Sequence, residues 1–147
     1  LIAGGDENDF LELGLEKLGD ISLLGAITKD RMARYLSETR LIVVPSKIEG
    51  YGIIIAEAIC CGSAVLATNV GGIPEVISIA KTNLNQNEKE IFDQFVILVE
   101  PDALSIKKGI ETLVNSDIIS QYLEIIPKIR TEFKWSKRLK GFYDLLL

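Results

Sequence analysis

Three observations predict an α/β protein built on a parallel sheet. Short, continuous apolar runs recur along the chain without the in–out alternation of a half-exposed strand, as expected of strands covered on both faces. Each run is followed by a longer segment of helical spacing, and glycines or prolines punctuate the switches. Successive βα units of this kind demand a parallel sheet with helices on both faces.

Leu1 to Ala3 is the first apolar run, followed by a helix predicted over Glu7 to Leu18. Asp6, Glu7 and Asp9 gather at its start, where carboxylates stabilise the helix dipole; metal binding there is the lesser reading. Ile21 to Leu24 is the second strand and Asp30 to Glu38 the second helix. Leu41 to Val44 is the third strand, ended by Pro45, and the helix that follows runs from Gly52 to Cys61. Strand Ala64 to Thr68 precedes a helix over Ile73 to Ile79, opened by Gly71-Gly72 with Glu75. This second glycine turn is either structural punctuation or a wall of a ligand pocket. The polar stretch Lys81 to Gln94 reads as a surface loop or a short exposed helix. After strand Val96 to Val99, Asp102 can N-cap a helix through about Val114. Ile118 to Leu147 reads as one or two terminal helices interrupted near Pro127, and no internal repeat or low-complexity linker appears.

A chain of 147 residues with 48% hydrophobic content is long enough for one domain with a sizeable core and too short for two. Leu1-Ile2-Ala3 reads as the end of a strand already under way, so a fragment of a larger protein is expected; the mean hydropathy of +0.26 fits a domain carrying apolar surface meant for a partner. A formal charge of -5 argues against a nucleic-acid surface, which needs a basic stripe. No apolar run reaches the roughly 18 residues of a membrane span. Cys60 and Cys61 are adjacent and the chain has no histidine, which excludes a zinc site and a disulfide framework and points to buried reduced thiols in a cytoplasmic protein.

The stretch PSKIEGYGIIIAE, Pro45 to Glu57, is where the chain looks like a site. Glu49 and Glu57 bracket a glycine-flanked turn leading from an apolar strand into an apolar helix. The first N–H groups of that helix face the carboxyl edge of a parallel sheet, an arrangement that suits a phosphate-bearing ligand. Ile53, Ile54, Ile55, Ala56, Ala58, Ile59 and Cys60 are all apolar, so the helix is expected to be largely buried and Glu57 to need hydrogen-bond donors. A ribose diol would supply two, and a lysine or arginine from elsewhere in the fold would serve equally. Glu49 is either a solvated loop residue or an acceptor for sugar hydroxyls. Gly50-Tyr51-Gly52 begins a GxGxxG pattern that Ile55 breaks, and no GxxxxGK[ST] loop is present.

The run EGYGIIIAEAICCGSAVLATNVGGIPEV, Glu49 to Val76, with its E-x7-E spacing, resembles the donor-site signature of the GT4 family of GT-B glycosyltransferases. The resemblance spans nearly the whole chain. Leu1 to Gly5 is similar to the family's LVIAGDG segment, Leu23-Leu24-Gly25 to its FLG segment and Pro45-Ser46 to its PS dipeptide. Val99 to Leu104 is similar to its LVPPGDPEAL segment, and Phe133 to Ser136 to its C-terminal tryptophan segment. Ala64 replaces a usual proline and Thr39-Arg40 a frequent Ala-Asp, neither at a donor contact.

This resemblance implies a Rossmann-like, doubly wound domain forming the C-terminal half of a GT-B enzyme, without its first βα unit or its N-terminal acceptor-binding domain. It implies that Glu57 binds the donor's ribose hydroxyls, that Glu49 acts on the transferred sugar as the catalytic-site carboxylate, and that Gly50, Tyr51, Gly52 and Ile53 present N–H groups to sugar and diphosphate. Ala26, Ile27 and Thr28 would lie along the base. The family retains anomeric configuration, takes a nucleotide-diphosphate sugar as donor and needs no metal or other cofactor; its arginine and lysine against the diphosphate would lie upstream of Leu1. Lys47 is the nearest cation in the sequence, and a solvated loop lysine is its plainer reading. The expected partners are the nucleotide sugar and the chain's own acceptor domain, with contact to a membrane surface left open through the latter. Two other functions fit the same pocket, a non-catalytic sugar-nucleotide-binding module and a GT-B sugar-nucleotide epimerase.

Overall fold

A computed structural model describes residues 1–4, 7–12, 19–115 and 119–134. Gly5, Asp6, the second half of the helix expected over Glu7 to Leu18, Ile118, and residues 135–147, with Trp135 and Ser136 of the tryptophan segment, lie outside these residues. The chain divides into two compact units, Leu1–Tyr35 and Leu36–Leu147. In the first, β1 (Ile2–Ala3) pairs in parallel with β2 (Leu23–Gly25), with α1 (Glu7–Glu12) between them in the chain; α2 (Lys29–Glu38) follows, its residues from Leu36 on counted in the second unit.

The second unit holds a parallel sheet in the order β3 (Leu41–Val44), β4 (Ala64–Thr68), β5 (Val96–Val99). Leu41 stands beside Ala64, and Val65 beside Val96. All five residues of β4 are buried, so both faces of this central strand are covered, as a continuous apolar run requires. α3 (Ile53–Cys61) connects β3 to β4; α4 (Ile73–Ala80) and α5 (Gln86–Phe95) connect β4 to β5. α6 (Ala103–Val114) and α7 (Ile119–Glu132) complete the described elements.

The strands of this sheet match the sequence expectation residue for residue, and Asp102 caps α6 as expected, its carboxylate accepting from the N–H groups of Leu104 and Ser105, each at 2.9 Å. Hydrogen bonds from Ser105 hold that carboxyl below the usual range. One open reading is decided and one expectation is corrected. Of the two readings open for Lys81 to Gln94, the short helix holds, as α5 over Gln86–Phe95: Asn85 and Glu88 form a reciprocal capping box with both bonds at 2.9 Å, and Phe92 and Phe95 are buried. Its polar sequence hid an anchor of two aromatics spaced one turn apart.

The corrected expectation is the break near Pro127, which does not interrupt the terminal helix; α7 runs through it. Tyr122, Ile125, Ile126 and Ile129 fall at i, i+3, i+4 and i+7 and are all buried. Burying four such side chains contributes about 1.5–3 kcal/mol each, more than the ~3 kcal/mol that a mid-helix proline costs. Pro127 itself faces outward, where water can reach the carbonyl it leaves without a donor.

Candidate functional site

Because β3, β4 and β5 run parallel, their carboxyl ends, Val44, Thr68 and Val99, lie along one edge. The segment leaving β3 is tied to β4 from its first residues. Thr68 is fully buried, and its hydroxyl donates to the carbonyl of Ser46 at 2.5 Å, 3.5 Å from that of Val44. The neighbouring turn is tied likewise, with the N–H of Asn69 donating to the Val99 carbonyl at 2.8 Å.

α3 begins at Gly52, whose φ of 82° and ψ of 43° place it in the left-handed region that glycine tolerates. No side chain caps this end from the N-cap position. Ile53 and Ile54 occupy the first two helical positions, so their N–H groups have no acceptor within the helix and sit at the positive end of its dipole.

The carboxylate of Glu49 folds back to accept the N–H of Gly52 at 3.3 Å. Glu49 is thus a half-buried residue with a built-in donor, not a solvated one. Of the four N–H groups expected to face the ligand, that of Gly52 is already engaged. Glu57 departs from expectation more clearly. It is exposed, not buried, and it shares the outer face of α3 with Ile53, which is 63% exposed, one turn before it. The uniformly apolar sequence concealed which face is covered: Ile55, Ala56, Ala58 and Ile59 are buried, whereas the Ile53–Glu57 line is open. Glu57 therefore needs no buried partner and is free to meet a ligand from solvent. In the loop before α3, Ile48 is 93% exposed and Tyr51 is exposed as well, and Lys47 is also exposed, as its plainer reading had it.

The turn from Asn69 to Gly72 lies directly against this loop. A β-carbon on Gly71 would fall 1.8 Å from the carbonyl oxygen of Glu49, and one on Gly72 would fall 2.5 Å from that of Gly50. The glycine pair whose role the sequence left open is therefore in backbone contact with the loop carrying Glu49. Thr68 was missed by sequence reasoning, although a hydroxyl residue closing an otherwise apolar strand was the available signal.

Ala26, Ile27 and Thr28 belong to the first unit, where they follow β2; Ala26 and Thr28 are exposed, and the Thr28 carbonyl accepts the N–H of Met32 at 2.9 Å to start α2. Cys60 and Cys61 are half-buried, not buried. Burial pushes the Cys60 thiol up to about 11, against the opposing pull of Arg130, so it stays protonated and is no nucleophile at neutral pH. Among the described residues, no group of three or more His, Cys, Asp or Glu side chains could hold a metal ion, and no helix is long and apolar enough to cross a membrane.

The sequence pattern of the family described as glycosyl transferases group 1 matches residues 1–116. The chain belongs to that family. An uncharacterized glycosyltransferase of Methanocaldococcus jannaschii is 28% identical over 125 residues, which cover 84% of this chain and 32% of that protein. The gpi3 subunit of a phosphatidylinositol N-acetylglucosaminyltransferase from Schizosaccharomyces pombe is 29% identical over 112 residues, 76% of this chain and 24% of that one. An alpha-maltose-1-phosphate synthase of Mycolicibacterium smegmatis is 30% identical over 115 residues, covering 67% of this chain and 30% of its own. This group 1 glycosyl transferase chain thus spans a third or less of the length of these relatives. Its fold matches that of a solved sucrose-phosphate synthase from Thermosynechococcus elongatus with a TM-score of 0.71 at 24% identity, covering 97% of this chain and 37% of that one. The architecture is that of a GT-B glycosyltransferase domain.

Proposed function

We propose that this chain is the donor half of a retaining GT4-type glycosyltransferase, which takes a hexosyl group from a nucleotide-diphosphate sugar and passes it to a sugar, lipid or polysaccharide acceptor held by a separate acceptor-binding domain. The observation that carries the reading is the amino end of α3, where open N–H groups at a sheet's carboxyl edge lie between Glu49 and an exposed Glu57. Families of this kind and the names of the relatives support sugar transfer; the arrangement of residues supports the donor side of it.

In this reading the diphosphate sits over the N–H groups of Ile53 and Ile54, where the helix dipole stabilises the charge that grows on the leaving group. Glu57, one turn along, accepts from the two ribose hydroxyls. Glu49 accepts from hydroxyls of the sugar, its own orientation fixed by the Gly52 N–H. Holding the sugar in one attitude contributes to rate by positioning. The bond from the anomeric carbon to the phosphate oxygen breaks, the nucleoside diphosphate leaves with the electron pair, and the acceptor oxygen bonds to the same face of that carbon. The acceptor's proton passes to the departing phosphate, so neither a histidine nor a metal ion is required. The enzyme works in the cytoplasm or at a membrane surface facing it.

Calorimetry on the full-length protein with UDP-, GDP- and ADP-sugars tests the reading. One base should be preferred, and Glu57→Gln should weaken that donor by roughly tenfold or more, the loss of hydrogen bonds to a charged acceptor. Donor binding unaffected by Glu57→Gln would contradict it. Donor binding without transfer to any acceptor would favour the non-catalytic module, and conversion of the donor sugar without an acceptor would favour the epimerase.

A further inference from the structure

The contact between the two glycine-bearing turns extends beyond residues that could touch a ligand. Gly71 has a φ of +53°, and a β-carbon there would lie 1.8 Å from the carbonyl oxygen of Glu49 and 2.9 Å from its carbonyl carbon. A β-carbon on Gly72 would lie 2.5 Å from the carbonyl oxygen of Gly50 and 3.0 Å from the α-carbon of Tyr51. Every one of these neighbours is backbone. No rotamer change can relieve such a contact; the loop itself must move.

The turn is the firmer of the two partners. Asn69 is bonded to Val99, the N–H of Val70 donates to the Thr68 carbonyl at 2.9 Å, and the N–H of Val76 donates to the Gly72 carbonyl at 3.2 Å, which ties the turn to β4, β5 and α4. The loop that carries Glu49, by contrast, has exposed Lys47, Ile48, Gly50 and Tyr51 around a half-buried Glu49. Glu57 depends on neither. Its place follows from the buried face of α3, formed by Ile55, Ala56, Ala58 and Ile59.

We infer that Gly71 and Gly72 are positioning residues that act through Glu49: their bare backbone is the template on which the sugar-recognising loop rests, and they set selectivity for the sugar separately from affinity for the nucleotide. The inference rests on the donor-site reading above. A shift of about 1 Å in a positioned group is enough to cost up to roughly a hundredfold, and an added methyl at Gly72 forces a displacement of that order.

The test measures two dissociation constants side by side on the full-length protein, one for the preferred nucleotide sugar and one for the nucleoside diphosphate alone. Gly72→Ala isolates the steric effect, because the Gly72 φ of -83° suits any residue. Gly62→Ala serves as the control: it sits at the other end of α3, where its φ of +90° and a β-carbon 2.7 Å from Leu123 Cδ2 impose strain of their own. Gly72→Ala should weaken the nucleotide sugar roughly tenfold or more and the nucleoside diphosphate by less than about threefold; Gly62→Ala should leave the ratio of the two unchanged. Combined with Glu49→Gln, Gly72→Ala should add little further loss, since both act through one carboxylate. Equal weakening of both ligands, an unchanged ratio, or full additivity with Glu49→Gln would overturn the inference.

Should Gly72→Ala fail to fold, the unsubstituted protein answers the same question: the amide resonances of Gly71 and Gly72 should move with the nucleotide sugar and not with the diphosphate alone, and equal movement with both overturns it. Wild-type protein that binds neither ligand overturns the donor-site reading together with this inference, whereas binding with an unchanged ratio overturns this inference alone.

Discussion

At its amino end α3 meets solvent through backbone and an exposed glutamate, whereas its carboxyl end is locked by side chains from other elements. The N–H groups of Gly62 and Ser63 cap the last turn by donating to Ile59 and Ala58 at 3.0 and 3.1 Å. The buried hydroxyl of Ser63 donates to the Leu36 carbonyl at 2.5 Å, Tyr122 donates to the Ser63 carbonyl at 3.3 Å, and Arg130 donates to the Cys60 carbonyl at 2.8 Å. Phe95 stacks on Tyr122 with ring centroids 4.8 Å apart. One end therefore satisfies its polar groups internally and the other leaves them for something else. The contrast teaches that the groups holding α3 in place and the groups it leaves open lie at opposite ends of a single helix.

Substitutions at the locked end should break stability and spare binding. Phe95→Ala removes a side chain that is 2% exposed, and it should cost about 3–5 kcal/mol in urea unfolding. Its folded fraction should bind donor as tightly as wild type; a fall in affinity would show that the two ends are coupled. Thr68→Val lies between the extremes. It leaves the Ser46 carbonyl without its donor, which should cost about 1–3 kcal/mol, and it should also loosen the loop leading to Glu49, so that nucleotide-sugar affinity falls with stability. A stability loss with full affinity would place Thr68 on the structural side alone.

Smaller effects sharpen the contrast. Cys60, at the locked end, has its thiol raised from an ordinary value of 9.0 to about 11, chiefly by burial. A folded state that holds this proton more tightly than the unfolded chain contributes stability that is present below pH 9 and is lost as the pH rises towards 11. Unfolding measured across that range should show the decline, and Cys60→Ala should flatten it relative to wild type. At the open end, Glu57→Gln should change stability by less than about 0.5 kcal/mol, as expected for an exposed position, and under the proposed function it should still weaken donor binding. A large loss of stability would mean that Glu57 is structural.

Much of the second unit was legible because its strands are continuous apolar runs, fully buried in β4 and half-buried for most of β3 and β5. Leu41–Val44, residues 64–67 and Val96–Val99 are apolar without interruption, and such runs have little else they can form between turn signals. Burial within helices was less legible. Nine residues of α3 include a single charge, so periodicity could not say which face turns inward, and Glu57 was expected inside. α5 was left undecided between loop and helix for the opposite reason, its polar composition outweighing the two phenylalanines that anchor it. Pro127 shows that a local rule yields when the tertiary contacts on either side are large enough. In the candidate site, the E-x7-E spacing pointed to both carboxylates, but the Glu49–Gly52 bond and the backbone contact with Gly71 and Gly72 join residues that no periodicity links, and only the folded chain brings them together.

Amide hydrogen exchange on the full-length protein, with and without a saturating nucleotide sugar, tests the central claim most directly. Protection should concentrate in residues 49–57 and 69–72, with little change at the already closed carboxyl end of α3, residues 59–63, and its partner Tyr122. Protection that appears at residues 59–63 and 122 while 49–57 exchanges as before would place the ligand at the wrong end of the helix and contradict the account.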